Sequence, residues 1–212
     1  MQVAVILAGT IAELVGWHLI ATGRCDVWKL MPPVLGVMGL AALIVRPPLA
    51  AADTAALNAL VVGMGSGVAL YLGTRVFVWL ASRWAPFRRD VADQYGQAGE
   101  VTIARSLVLS LAIMVPSEEL FWRGLVQFRA EEATTAATAA LFAWVSYIGA
   151  NAASRSLPIL AGAVVGGALW GGLAWWSGGV LASLASHILW TGLMLVLPPG
   201  AGPRALEEGA MR

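Results

Sequence analysis

The feature that most constrains this chain is the run Leu57–Leu80, which is apolar except for Arg75 and a few small polar side chains. The hydrocarbon core of a bilayer is about 30 Å thick and takes about 20 helical residues to cross. No water is available there, so every backbone N–H and C=O must be paired within the protein, and such a run folds as a helix. Six more apolar stretches follow the same logic: Val3–Ala21, Met31–Val45, Val101–Val126, Thr134–Ala150, Pro158–Trp176 and Gly178–Leu197. The expected fold is all-α, a polytopic membrane helical bundle of about seven transmembrane helices. Met31–Val45 is short and opens on Pro32-Pro33, which predicts a short or tilted span.

Composition agrees with that solvent. The 212 residues are 59% hydrophobic and 12% charged, against about 25% charged in a soluble domain. A net charge of +1 leaves no electrostatic footprint for a nucleic-acid partner. Cys25 is the single cysteine, so no intrachain disulfide forms. It reads as an inert interfacial thiol, with a reactive or lipidated role as the alternative. Met1-Gln2-Val3 has no positive start, and Glu13 and His18 interrupt the apolar stretch, so a retained first span is expected rather than a signal peptide.

Four regions are expected: N-terminal transmembrane helices over 1–81, a polar segment at the membrane interface over 82–99, a core over 100–198, and a polar, mobile tail over 199–212. Gly63 and Gly67 have the spacing that lets helices approach closely. Most arginines and the lone Lys29 fall after odd-numbered spans, which places the C-terminus in the cytoplasm and the N-terminus outside. No repeat of 20–50 residues is visible.

Within this lipid-adapted chain, Ser117-Glu118-Glu119-Leu120-Phe121-Trp122-Arg123-Gly124 stands out. Charges inside spans cost roughly 2.5–3.5 kcal/mol each and mark functional sites by default. Glu119 and Arg123 are four apart and share one helix face, whereas Glu118 is rotated by about 100°. Pro116 removes one backbone hydrogen bond and predicts a kink just before Glu118. Further polar candidates are Asn151, His187 and Thr191, the last a turn beyond His187 on the same face. A histidine in hydrocarbon needs a partner, and the Glu118-Glu119 pair is the cheapest. If these residues converge on a wet cavity, Glu118 can take a proton from water, while imidazole and hydroxyl donors stabilise an oxyanion. That constellation suffices for peptide-bond hydrolysis with no cofactor, and no metal is expected with two histidines in the chain.

Plainer roles stand beside these. Glu119–Arg123 also reads as a structural ion pair, His187 as a packed polar residue, Asn151 as a helix C-cap or loop hydrogen bonder, and Thr191 as back-bonded helix filler. Arg75 and Glu13 compete as functional charges, and Glu13 also suits a pair with His18. Trp170, Trp175, Trp176 and Trp190 read as packing and interface anchors.

Glu118-Glu119-x-x-x-Arg123, followed by a span and then Ala185-Ser186-His187-Ile188-Leu189-Trp190, resembles the CPBP family over about residues 100–198. This family comprises type II CAAX prenyl endopeptidases and the related bacterial Abi and bacteriocin-processing proteins. The resemblance implies an intramembrane glutamate protease in which Glu118 activates water, Glu119 and Arg123 organise the site, and His187 holds the oxyanion. It implies a peptide or lipidated-peptide substrate, contact with membrane lipid and residence in a bacterial cell membrane. The chain departs from the family pattern in two places. Tyr147-Ile148-Gly149-Ala150-Asn151 carries asparagine where the family has histidine, and Thr191 stands where asparagine or aspartate is usual. An asparagine hydrogen-bonds water but cannot accept its proton at neutral pH.

Three function classes remain open from sequence. The leading one is an intramembrane endopeptidase with Glu118 as base and Asn151, His187 and Thr191 contacting water and oxyanion. The second is a catalytically silent relative that binds a membrane partner. The third is a small transporter using Glu13, Arg75 and the core charges.

Overall fold

The computed structural model describes residues 1–98 and 101–199, so the tail expected to be mobile lies outside the described residues from Gly200 onward. Among the described residues all regular structure is helical. In chain order the helices are α1 (Gln2–Ala21), α2 (Val27–Val45), α3 (Ala56–Ala81), α4 (Ala85–Ala98), α5 (103–131), α6 (Ala136–Ala152), α7 (Leu157–Ser177) and α8 (Leu181–Val196). Four of these, α1, α2, α3 and α7, are long and apolar enough to cross a membrane. The expected count of seven is not reached on that measure, because α5 is interrupted and α6 and α8 have 17 and 16 residues.

The long helices are apolar on the outside, and α1 and α5 carry their buried carboxylates within, while Arg75 of α3 is exposed. On α1, Leu7 and Ile11 are 59% and 61% exposed, while Glu13 on the same helix is fully buried. Water would impose the opposite order, whereas hydrocarbon accepts apolar side chains freely and drives ionisable ones toward the bundle interior. α3 repeats the pattern, with Leu57, Val61, Leu72 and Val76 outward and Gly63, Gly67 and Tyr71 inward.

Small residues set the helix contacts. Gly63 and Gly67 face α8, as their spacing predicts; a Cβ built on Gly67 would lie 2.7 Å from the Ser186 carbonyl oxygen. Gly39 brings α2 against Ser117 of α5, and Gly9 of α1 leaves room for the Phe121 ring. Across α6 and α7, Gly167 lies against Tyr147 and Trp144, and Trp144 Nε1 donates to the Val164 carbonyl at 2.8 Å. The α2–α3 loop also grips the turn before α8: Val180 N donates to Leu49 O (3.0 Å), Leu181 N to Ala50 O (2.8 Å) and Asp53 N to Ser177 O (3.0 Å). That turn requires Gly178, the left-handed cap of α7 at φ 65°.

Two expected elements differ. α2 begins at Val27 rather than Met31, because Asp26 caps it by accepting from Trp28 N and Lys29 N at 2.7 and 3.1 Å. Pro32 and Pro33 therefore lie inside the helix instead of opening it. The polar segment forms α4, an amphipathic helix whose Phe87 is buried against Phe77 with ring centroids 5.4 Å apart. Asp90 Oδ2 accepts from Leu157 N at 3.0 Å, tying α4 to the start of α7, and Tyr95 donates to the Met194 carbonyl at 3.4 Å. Burial pushes the Tyr95 phenol upward.

α5 carries the charged motif and is irregular in a specific way. Two stretches, Leu109–Met114 and Glu119–Gln127, are wound as π-helix with i→i+5 hydrogen bonds, separated by the short α-helical Val115–Glu118. Pro116 has no N–H to offer the carbonyl four residues back, and its ring crowds that carbonyl. A widened turn upstream relieves both. π-helical turns are rare and are found mostly at functional sites.

Candidate active site

α5, α6, α7 and α8 each present one part of a buried polar cluster, and α1 supplies another. Glu118, Glu119 and Arg123 from α5, Asn151 from α6, His187 from α8 and Glu13 from α1 are all at most 8% exposed. Buried polar groups are mostly hydrogen-bonded within the protein, and these are, with two exceptions: Glu119 Oε2 and Arg123 Nη1 have no hydrogen-bond partner among the described residues.

Glu119 is the hub. Its Oε1 accepts from His187 Nδ1 at 2.8 Å and lies 3.3 Å from Arg123 Nη1. The guanidinium also stands over the Tyr147 ring (4.6 Å to the centroid) and the Trp170 ring (5.4 Å), and reaches the Gly167 carbonyl at 3.5 Å. A carboxylate beside an arginine accepts, so His187 donates from Nδ1 and turns Nε2 toward Glu118. That nitrogen is 3.9 Å from Glu118 Oε2. The imidazole orientation is fixed a second time by Trp170, which stacks on it at 3.5 Å with the planes 14° apart. Trp170 in turn lies over Gly166, where a Cβ would strike the indole at 2.7 Å.

Glu118 is held differently. Tyr147 donates its hydroxyl to Glu118 Oε2 at 3.1 Å, and no arginine pairs with it among the described residues. Its side chain keeps 11% of its surface accessible, against 1% for Glu119. That surface opens into a cavity of ≈ 540 Å³. The cavity is lined by Glu118, Tyr147, Asn151, His187 and Thr191 and otherwise mainly by apolar side chains such as Leu70, Phe77, Phe87 and Met194, with Thr74, Gln94, Tyr95 and Ser110 among them. Glu119 and Arg123 do not line it. The two adjacent carboxylates thus differ as their 100° rotation predicts: one is buried in an ion pair and one faces a space.

All six sequence candidates lie in or against this cluster, with Thr191 half-buried on the cavity wall beside His187. Asn151 is neither a C-cap nor a loop residue. It sits within α6 and donates from Nδ2 to Glu13 Oε1 (3.2 Å) and to the Tyr147 carbonyl (3.0 Å). The alternative Glu13–His18 pair does not form; His18 is exposed, and Glu13 instead accepts from Asn151 and from Trp122 Nε1 at 3.0 Å. Arg75 is exposed over the Tyr71 ring and takes no part in the cluster. From the sequence Tyr147 is marked only as the aromatic that opens the motif ending at Asn151, and Trp170 reads as a packing or interface anchor, since what stands opposite each shows only once the helices are assembled. Among the described residues no three His, Cys, Asp or Glu side chains are arranged to hold a metal ion.

The fold and cluster define a helical membrane protein with two inequivalent carboxylates and a histidine at one end of an apolar cavity. Residues 101–193 match the family model described as type II CAAX prenyl endopeptidase Rce1-like, in agreement with the resemblance to CPBP proteins over about the same stretch. No match was found among curated proteins or among solved structures.

Proposed function

We propose that this chain is an intramembrane endopeptidase that hydrolyses a peptide bond near the membrane surface with water activated by Glu118. The observation that carries this is the division of labour within the carboxylate pair. Glu119 is engaged by Arg123 and His187, while Glu118 faces the cavity with Tyr147 alone hydrogen-bonded to it among the described residues and His187 Nε2 at 3.9 Å. A water between Glu118 and a substrate carbonyl loses a proton to Glu118, and its oxygen adds to the carbonyl carbon. In its protonated form His187 donates from Nδ1 to Glu119 and from Nε2 to the resulting oxyanion. Collapse of that intermediate breaks the C–N bond, and the proton held by Glu118 passes to the departing amine. Glu119, Arg123 and Trp170 orient the imidazole, and Thr191 offers a hydroxyl to the same intermediate.

The substrate is a peptide or lipidated peptide presented from the membrane, and the apolar walls of the cavity suit an apolar chain. α5, α6 and α8 cross or enter the bilayer with the four longer helices, giving seven, and the protein resides in a bacterial cell membrane. A core over 100–198 carries the motif residues and α1 completes the site.

A second reading is a silent relative that binds without cutting. The engagement of both Asn151 amide protons by protein acceptors favours it, since that side chain has no donor left for a substrate. Purified protein in lipid is assayed against a membrane-anchored peptide. Wild-type cleavage that is lost in Glu118→Gln and His187→Ala is the expected result. Cleavage by Glu118→Gln refutes the assignment of the base, and no turnover by the wild type selects the silent reading.

A further inference from the structure

Glu13 is fully buried on α1 and does not line the cavity. Removing a carboxylate from water costs several kcal/mol unless it is hydrogen-bonded, so its position demands partners. Among the described residues one donor bonds each oxygen, Trp122 Nε1 on Oε2 at 3.0 Å and Asn151 Nδ2 on Oε1 at 3.2 Å, and the Trp17 side chain lies against the same carboxylate. An indole N–H only donates and carboxylate oxygens accept. The face that Glu13 offers Asn151 is therefore an acceptor, and the amide must turn its nitrogen toward it. The same nitrogen donates to the Tyr147 carbonyl at 3.0 Å, which uses its second proton. Oδ1 is then the only polar atom of Asn151 left for the cavity that this residue lines.

We infer that Glu13 is a positioning residue that locks Asn151 with Oδ1 toward the cavity, so that Asn151 and Glu118 each accept one proton of the same water. This rests on the peptidase reading. Tyr147 links the two acceptors, since its carbonyl holds the Asn151 amide and its hydroxyl holds Glu118. A water with both protons accepted presents a lone pair outward, toward the carbonyl carbon to be attacked. Asn151 only orients that water; Glu118 takes its proton. Without Glu13 only the Tyr147 carbonyl holds the amide nitrogen, so a flip that presents the NH₂ group to the water and turns its lone pair away is opposed by one hydrogen bond rather than two.

The test uses full-length protein in lipid. Glu13→Gln offers one acceptor oxygen where two donors point. Its kcat is expected to fall at least about tenfold, as misoriented reactants require, with KM within about twofold because Glu13 touches no substrate. In an Asn151→Ala background the same change is expected to add nothing, since its effect passes through Asn151. A readout independent of activity is available, because the chain has two asparagines, Asn58 and Asn151. With nitrogen-15 in asparagine side chains, Glu13→Gln is expected to move the Asn151 amide signals and leave those of exposed Asn58 in place. If Glu13→Gln does not fold, Glu13→Asp, which withdraws both oxygens by one methylene, is read in the same assays. Unmoved Asn151 signals overturn the inference. So do equal losses in the two backgrounds, and so does unaltered kcat in Glu13→Gln while Glu118→Gln is inactive. Cleavage retained by Glu118→Gln instead removes the peptidase reading, and the shared water with it.

Discussion

Glu118→Gln and Glu119→Gln make the same chemical change one residue apart, and the structure predicts very different costs in stability. Glu119 and Arg123 form an ion pair with side chains 1% and 3% exposed, so solvent and salt screen it little. Glu119→Gln leaves the guanidinium buried without its countercharge. Breaking one side of such a pair costs about 3–5 kcal/mol. Arg123 keeps its contacts with the Tyr147 and Trp170 rings, each worth roughly 0.5–2 kcal/mol, which favours the lower end. Glu118→Gln strands no cation, and the amide oxygen still accepts from Tyr147, so the loss is at most about 1 kcal/mol. Reversible unfolding in mixed micelles, followed by tryptophan fluorescence, separates the two by about 2 kcal/mol or more. Both variants are expected to lose cleavage, Glu118→Gln as a folded protein. Equal stabilities, or a Glu119→Gln variant as stable as wild type, would refute the inequivalence of the pair.

Tyr147→Phe removes the donor to Glu118 and is expected to cost ~1 kcal/mol, or roughly fivefold in kcat/KM; an unchanged value in a peptide-cleavage assay would rule out a role for that hydroxyl. Gly63→Ala places a Cβ against the Ala182 carbonyl across the α3–α8 contact and is expected to destabilise by about 1–3 kcal/mol. Gly65→Ala, with nothing within 4 Å, should be neutral or gain up to about 1 kcal/mol, so the two unfolding curves move in opposite directions. Gly166→Ala drives Trp170 off His187, which predicts loss of activity in a helix that stays folded; full activity would show that the stack does not orient the ring.

What was legible in the sequence was whatever depends on one helix at a time. The four-residue spacing of Glu119 and Arg123 gave their pairing, the neighbouring position of Glu118 gave its different outlook, and Gly63 with Gly67 gave the close approach of another helix. The carboxylate partner of His187 was legible for a cruder reason, namely that a histidine in lipid must bond something. Partners drawn from distant helices were not legible. Glu13 meets Asn151 across 138 positions, and nothing local distinguished that from a pair with His18 five residues away. Trp170 differs from Trp176 only in what stands opposite it: the first stacks on His187 and the second is exposed. The start of α2 was misplaced because the proline pair masked the stronger signal of Asp26, whose side chain caps the helix four residues earlier.

The burial of Glu13 bears on how the protein is made. α1 leaves the ribosome well before α5 and α6, the helices whose indole and amide satisfy its carboxylate. Until they arrive, the helix carries an unpartnered carboxyl group into hydrocarbon, at a cost of a few kcal/mol. Its entry into the bilayer is thus provisional during translation and becomes secure when α5 and α6 close on it.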